Sequence, residues 1–244
     1  MNGPDPTGVL DLVLDRLDRG HHPAFILGSD EQLVPAVSMI DHDWLAEQLR
    51  LRGLRWGTDD ARVLATLWWY SASAWMICPT LASLALGGQV LSADCDDLAV
   101  HWLPDSRITG ATSSRVLASG TSPLEAAADS LRGLFEHVIT AVTTLAGIGP
   151  RPLWAIAADS IATRVASIGR ATGELELVTG LLHPLCEAIG SSLPMPGYVG
   201  AGPALETRRL SCCLLYLAPG QSKCSSCPKL IRRHPPRGSA PVGS

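Results

Sequence analysis

Four of the seven cysteines, Cys212, Cys213, Cys224 and Cys227, fall within sixteen residues near the C-terminus, inside the run RRLSCCLLYLAPGQSKCSSCP from Arg208 to Pro228. Four thiolates in two pairs are soft ligands that suit an iron–sulfur cluster or zinc. Cys224 and Cys227 form a C-x-x-C, a spacing that lets two sulfurs converge on one centre while the intervening amides point at sulfur and lower its basicity. Cys212 and Cys213 are adjacent. In an extended strand they would face opposite ways, so both can serve one centre only if the backbone bends there. Ten residues separate the pairs, about 33 Å of extended chain, so the chain must also reverse between them. Pro219-Gly220 supplies that reversal, because proline presets φ at the first central position of a type II turn and glycine accepts the positive φ of the second. A zinc ribbon normally offers two C-x-x-C-like pairs and a vicinal pair is uncommon in it, which favours iron–sulfur over zinc without removing zinc.

The elements that must carry this segment are mostly helical. Val9, Leu10, Val13, Leu14 and Leu17 recur at helical spacing, giving a short amphipathic helix ending near Gly20, and a second opens at Asp41 with Trp44, Leu45 and Leu49 on one face. Asp59 and Asp60 precede an uncharged run of twenty-four residues, Val63 to Leu86, long enough to span a bilayer. Pro79 interrupts it, Trp68, Trp69 and Trp75 sit in its interior instead of forming belts at its ends, and Ser71, Ser73, Thr80 and Ser83 punctuate it. Two buried core helices are therefore expected, with peripheral contact with a membrane's inner face left as the compatible alternative. QVLSA, LAVHW and RITGA, with Asp94 to Asp97 and Pro104-Asp105 between them, predict a small antiparallel meander; Asp94, Asp96 and Asp97 read as turn formers. Ser122-Pro123-Leu124-Glu125 predicts a capped helix to about Gly147. Further helices are expected from Pro152 towards Gly169 and over Glu174 to Ile189, then a Pro/Gly-rich connector from Ser191 to Pro203. The fold class is α+β, mainly α-helical, with a small antiparallel sheet and a C-terminal Cys-rich segment. Expected units are residues 1–200, the Cys segment 201–230, and a disordered tail over 231–244.

Composition narrows function. The 244 residues are 46% hydrophobic and 17% charged, enough apolar material for one substantial core. A net charge of −4 with no dense Lys/Arg field lacks the electrostatic footprint of a nucleic-acid binder. The N-terminal stretch has no basic region and carries Asp11, Asp15 and Asp18 through its apolar part, which excludes a signal peptide and predicts a cytoplasmic protein. A local cysteine cluster in a long chain, unlike the dense disulfide framework of a small secreted domain, agrees with a reducing compartment. The seven histidines (His21, His22, His42, His101, His137, His183, His234) show no H-x-x-x-H or H-E-x-x-H arrangement. Gly197 to Gly202 has the wrong spacing for a dinucleotide or P-loop glycine motif. Cys78, Cys95 and Cys186 read as small buried hydrophobes, and Trp44, Trp68, Trp69, Trp75 and Trp154 as core residues whose N–H groups need partners.

The pattern R-x-x-C-C-L-x-Y followed by C-x-x-C-P, with ten residues between the cysteine pairs, resembles the C-terminal signature of the FhuF family of ferric-siderophore reductases, specifically at Cys212, Cys213, Tyr216, Cys224, Cys227 and Pro228. Upstream, Pro152-Leu153-Trp154-Ala155 resembles that family's LW helix start, and the likeness covers residues 60 to 230 in outline. The resemblance implies a [2Fe-2S] cluster held by Cys212, Cys213, Cys224 and Cys227, with no catalytic side chains beyond it, passing single electrons to the Fe(III) of a ferric siderophore and releasing Fe(II). An external electron donor, a ferredoxin or a flavoprotein reductase, is then needed, because the chain carries no recognisable flavin or nicotinamide motif. Such a centre is anionic, so Arg208, Arg209, Lys223, Lys229, Arg232 and Arg233 are candidate cations of its environment, with Tyr216 beside them. Two competing readings are a binding or regulatory protein without redox activity, stapled by zinc on the same four cysteines, and a relative of siderophore synthetases, the latter weakened by the lack of a nucleotide-binding motif.

Overall fold

The structure, a computed structural model, describes residues 5–117, 122–224 and 226–231. Its first three α-helices begin where short polar side chains satisfy free amides. Asp5 accepts from Thr7 N–H at the start of α1 (Pro6–Arg16). Asp41 accepts from Trp44 N–H for α2 (His42–Trp56), and Asp60 accepts from Arg62 and Val63 N–H for α3 (Ala61–Met76). The uncharged run divides as its proline requires: α3 stops at Met76, and α4 (Cys78–Leu86) starts with Pro79 in its first turn, where a missing N–H costs nothing. No helix among the described residues is long and apolar enough to cross a membrane.

Two long helices, α5 (Pro123–Ala146) and α6 (Pro150–Thr172), complete the core with α3. α5 starts where Ser122-Pro123 places it, but the Ser122 side chain makes no capping hydrogen bond; Pro123 at the first position suffices to set the backbone. The expected single helix from Glu174 is two, α7 (Leu175–Thr179) and α8 (Leu182–Ile189), broken at Gly180-Leu181. Leu175 packs its backbone against Gly169 of α6, a tertiary contact that periodicity cannot show. Trp68 and Trp69 are fully buried at the centre. An aromatic chain runs from Trp44 edge-on to Trp68, through Trp69, to Phe135 of α5 and Trp154 of α6, with ring centroids 5.9–6.5 Å apart. Such contacts add to the large apolar area these rings remove from water.

The small sheet differs from the expected meander. Its order is β1 (Gln32–Pro35), β2 (Leu98–Trp102), β3 (Ile108–Ser113), all antiparallel, with Val34, Val100 and Ala111 in register. QVLSA contributes only an isolated bridge, Leu91 to Val116. Leu91 N–H donates to Ser83 Oγ and Ala93 N–H to Ser130 Oγ, while Ser92 N–H donates to the Arg115 carbonyl and the Val90 carbonyl accepts from Leu117 N–H. A second hairpin pairs β4 (Gly197–Val199) with β5 (Glu206–Arg208), the two joined by residues 200–205. It docks on α6, where Tyr198 donates to the Ala162 carbonyl and the Thr163 and Thr207 hydroxyls meet.

At Gly110 on β3 the sheet presses on its cover so closely that a Cβ would stand 2.5 Å from the Ala24 carbonyl oxygen and 2.6 Å from Nδ1 of buried His101. Gly110→Ala is therefore expected to destabilise the protein by about 1–3 kcal/mol through overpacking. Thermal melting followed by circular dichroism checks this, and an unchanged melting temperature refutes it.

Candidate functional site

After β5 the chain meets a buried carboxylate. Asp159 of α6 is 2% exposed. Its Oδ1 accepts from Leu210 N–H (2.8 Å), and its Oδ2 accepts from Ser211 N–H (2.9 Å) and the Ser211 hydroxyl (2.5 Å). One side chain thus fastens the main chain immediately ahead of Cys212. Burial pushes the Asp159 carboxyl above its ordinary pKa, and these donors together with the Arg209 charge offset that only in part.

From this anchor the segment folds as the spacing demands. Leu214 takes a left-handed backbone conformation (φ 60°), bending the chain directly after the vicinal pair, so that Cys212 and Cys213 both line one pocket. A short helical turn, Leu215–Leu217, leads to the reversal. Gln221 N–H donates to the Ala218 carbonyl and Gly220 has φ 71°, the positive value that the second central position of a type II turn needs. The chain returns as Cys224, closes a turn in which Cys227 N–H donates to the Cys224 carbonyl (3.0 Å), and ends in α9 (Pro228–Ile231). The expected tail beyond Ile231, with Arg232 and Arg233, lies outside the described residues.

The product is a small pocket lined by Cys212, Cys213, Cys224 and Cys227 together with Arg209, Tyr216 and Lys223. All four cysteines are free thiols; Cys227 is buried and the other three half-buried. Cys212 Sγ and Cys227 Sγ are 4.0 Å apart, joining one member of each pair. Burial, reinforced by the neighbouring Cys227, pushes the Cys212 thiol up. Bound metal would reverse this, since a coordinated thiol gives up its proton. Among the described residues no three His, Cys, Asp or Glu side chains are gathered closely enough to hold a single ion. Cys78, Cys95 and Cys186 sit in the core as expected, and burial raises their thiols, to about 11 for Cys95 and about 12 for Cys186.

The cations divide into one whose side chain is buried and a set that is half-buried or exposed. The side chain of Arg209 is 8% exposed, and its Nη1 donates to Cys224 Sγ at 3.5 Å. Its guanidinium carbon lies 4.6 Å from the ring centroid of Tyr70 on α3, a cation–π distance. Burial alone would weaken Arg209 as a cation, but Tyr70, Cys213, Cys224 and Asp159 outweigh it and hold the proton more firmly than usual. Lys223 and Lys229, the only lysines in the sequence, both stand over the Tyr216 ring, at 5.4 and 4.9 Å. Arg208 lies exposed on β5 and does not line the pocket. Sequence reasoning missed Asp159 and Tyr70. The signal for Asp159 was present, since it is the one carboxylate in the apolar face of WAIAADSIA; nothing marked Tyr70 at the end of the tryptophan pair.

Residues 209–229 match the family model described as the FhuF 2Fe-2S C-terminal domain. No curated protein matches the chain. The residues present fit the named cofactor. Four soft thiols from two stretches of chain line one pocket, and Nε and Nη2 of buried Arg209 find no hydrogen-bond partner among the described residues, as befits a cation beside a centre of negative charge. Over residues 209–229 the C-terminal segment is thus similar to the FhuF 2Fe-2S C-terminal domain, a domain named for the [2Fe-2S] group it binds.

Proposed function

We propose that this protein is a cytoplasmic ferric-siderophore reductase acting in iron uptake, with Cys212, Cys213, Cys224 and Cys227 as the ligands of its [2Fe-2S] cluster. The observation that carries the reading is the convergence of these four thiols on one pocket within the residues that match the [2Fe-2S] family model. When bound, the cluster supplies one electron at a time. The reaction consumes one electron and one Fe(III) chelate and yields Fe(II) and the free siderophore, whose hard oxygen donors hold Fe(II) far less firmly. The electron comes from an external ferredoxin or flavoprotein reductase.

The chain's own residues have three tasks in this scheme. Asp159 and the Pro219-Gly220 turn hold the two thiol pairs facing one another. Arg209 brings a fixed positive charge to the thiolates from the buried side. On the other side Cys212, Cys213 and Cys224 remain partly open to solvent, and Lys223 and Lys229 lie beside them. Both the donor and an anionic chelate can therefore approach within electron-transfer range of the same opening.

The test is an absorption spectrum of anaerobically purified protein before and after dithionite, with iron and acid-labile sulfide assayed on the same sample. The expected protein is brown, bleaches on reduction, and contains iron matched by sulfide. The reduced sample should then release Fe(II) from a ferric hydroxamate to a ferrous-specific chromophore. A colourless protein carrying zinc overturns the proposal and installs the same cysteines as a structural staple.

A further inference from the structure

Arg209 and Asp159 form a charge couple that the cysteine pattern does not require. Nε of Arg209 lies 3.9 Å from Oδ2 of Asp159, too far for a hydrogen bond, and Asp159 is already occupied by the amides of Leu210 and Ser211 and by the Ser211 hydroxyl. The guanidinium is therefore only partly neutralised. It is held in place by the Tyr70 ring, one nitrogen donates to Cys224 Sγ, and two have no partner among the described residues. Leaving such donors unpaired in a protein interior is costly, so their burial beside the thiol pocket points to a negative group there. Lys223 and Lys229 differ in kind. Lys223 lines the pocket half-buried and Lys229 is exposed, so water and salt screen them, whereas a buried charge acts through a lower dielectric.

We propose that the Asp159–Arg209 couple sets the reduction potential of the [2Fe-2S] centre: Arg209 stabilises the added electron, and Asp159 is a positioning residue that holds Arg209 and partly offsets its charge. This rests on the ligand reading given above. The added electron makes the centre more negative by one unit, so removing the cation disfavours reduction, and removing the neighbouring anion favours it. The two residues consequently carry opposite signs, which a merely structural role for either would not produce.

Redox titration of Arg209→Gln, Arg209→Lys and Asp159→Asn, followed by the visible spectrum with iron and sulfide measured on each, tests this. At a fixed solution potential Arg209→Gln should lower the ratio of reduced to oxidised protein about tenfold, the order expected for one partly buried unit charge; tenfold corresponds to about 59 mV for one electron. Asp159→Asn, which removes the charge and keeps one of the two oxygen acceptors that serve the Leu210 and Ser211 amides, should raise the ratio, and Arg209→Lys, which keeps the charge, should lie closer to the parent than Arg209→Gln. A fully loaded Arg209→Gln with an unchanged ratio, or glutamine and asparagine variants that shift the same way, overturns the proposal and leaves the ligand reading standing. If Arg209→Gln does not load, an Asp159→Asn ratio that fails to rise is decisive against it. Loss of the cluster in all three variants assigns the couple to folding and also overturns it. A parent protein without a cluster removes the ligand reading itself.

Discussion

Cys227→Ser is expected to abolish the visible charge-transfer absorbance, to strip both iron and sulfide from the purified protein, and to eliminate reductase activity. Cys227 is the most deeply buried of the four thiols, at 2% exposure, and its sulfur lies 4.0 Å from that of Cys212, so it joins the two halves of the pocket. A serine hydroxyl is a harder donor that stays protonated at neutral pH, whereas the metal demands a soft, deprotonated ligand. The loss should exceed the roughly 10–100-fold in affinity that removing a group behind a metal ligand costs. The fold should survive, because Cys227 serves the local turns through its backbone, donating to the Cys224 carbonyl and accepting from Leu230 N–H. Far-ultraviolet circular dichroism should therefore match the parent. Cys186→Ala is the matching control: its thiol is in the core and far from titrating at neutral pH, so the colour should persist. An unaltered spectrum in Cys227→Ser removes that residue from the ligand set.

The largest effect on stability is expected from Trp69→Ala. Trp69 is completely buried. Its ring stacks on Trp68 at 6.4 Å and meets Phe135 edge-on at 6.1 Å, and its Nε1–H donates to the Leu153 carbonyl at 2.9 Å. One side chain thus ties α3 to α5 and α6. Truncation removes the transfer energy of the indole, leaves a cavity among packed helices, and removes the hydrogen bond from Trp69 Nε1–H to the Leu153 carbonyl. The combined cost is about 3–5 kcal/mol, a large share of a total stability of about 5–15 kcal/mol. Because α3 carries Tyr70 and α6 carries Asp159, the loss should also loosen the seat of the cysteine segment. Urea unfolding followed by far-ultraviolet circular dichroism measures the change, and a loss below about 1 kcal/mol would show that the aromatic chain is not the keystone its burial suggests.

The features legible in the sequence are those whose cause lies within a few residues of chain. Asp41 and Asp60 start helices because their own side chains reach amides two or three residues on. Pro79 divides the uncharged run because it has no amide to give, and Pro219-Gly220 turns the chain because its backbone preferences are intrinsic. The same locality made the thiol site readable, since all four cysteines and the turn between them occupy one short segment. The family match on residues 209–229 falls on that segment.

What required the tertiary structure is what depends on partners far along the chain. Gln32–Pro35 has no alternating pattern, and becomes a strand only because β2 offers it an edge. QVLSA has the composition of a strand, yet the amides of Leu91 and Ala93 go to Ser83 and Ser130 on two helices. The helix expected from Glu174 breaks at Gly180-Leu181, beyond the point where Leu175 packs on Gly169. At the site the division is the same. The cysteine spacing by itself determined that this chain offers four soft ligands on a reversing segment. Only the packing of α3 and α6 decided that Tyr70 and Asp159 stand behind Arg209, because a buried charge couple is assembled from residues far apart in the chain and leaves no spacing to read.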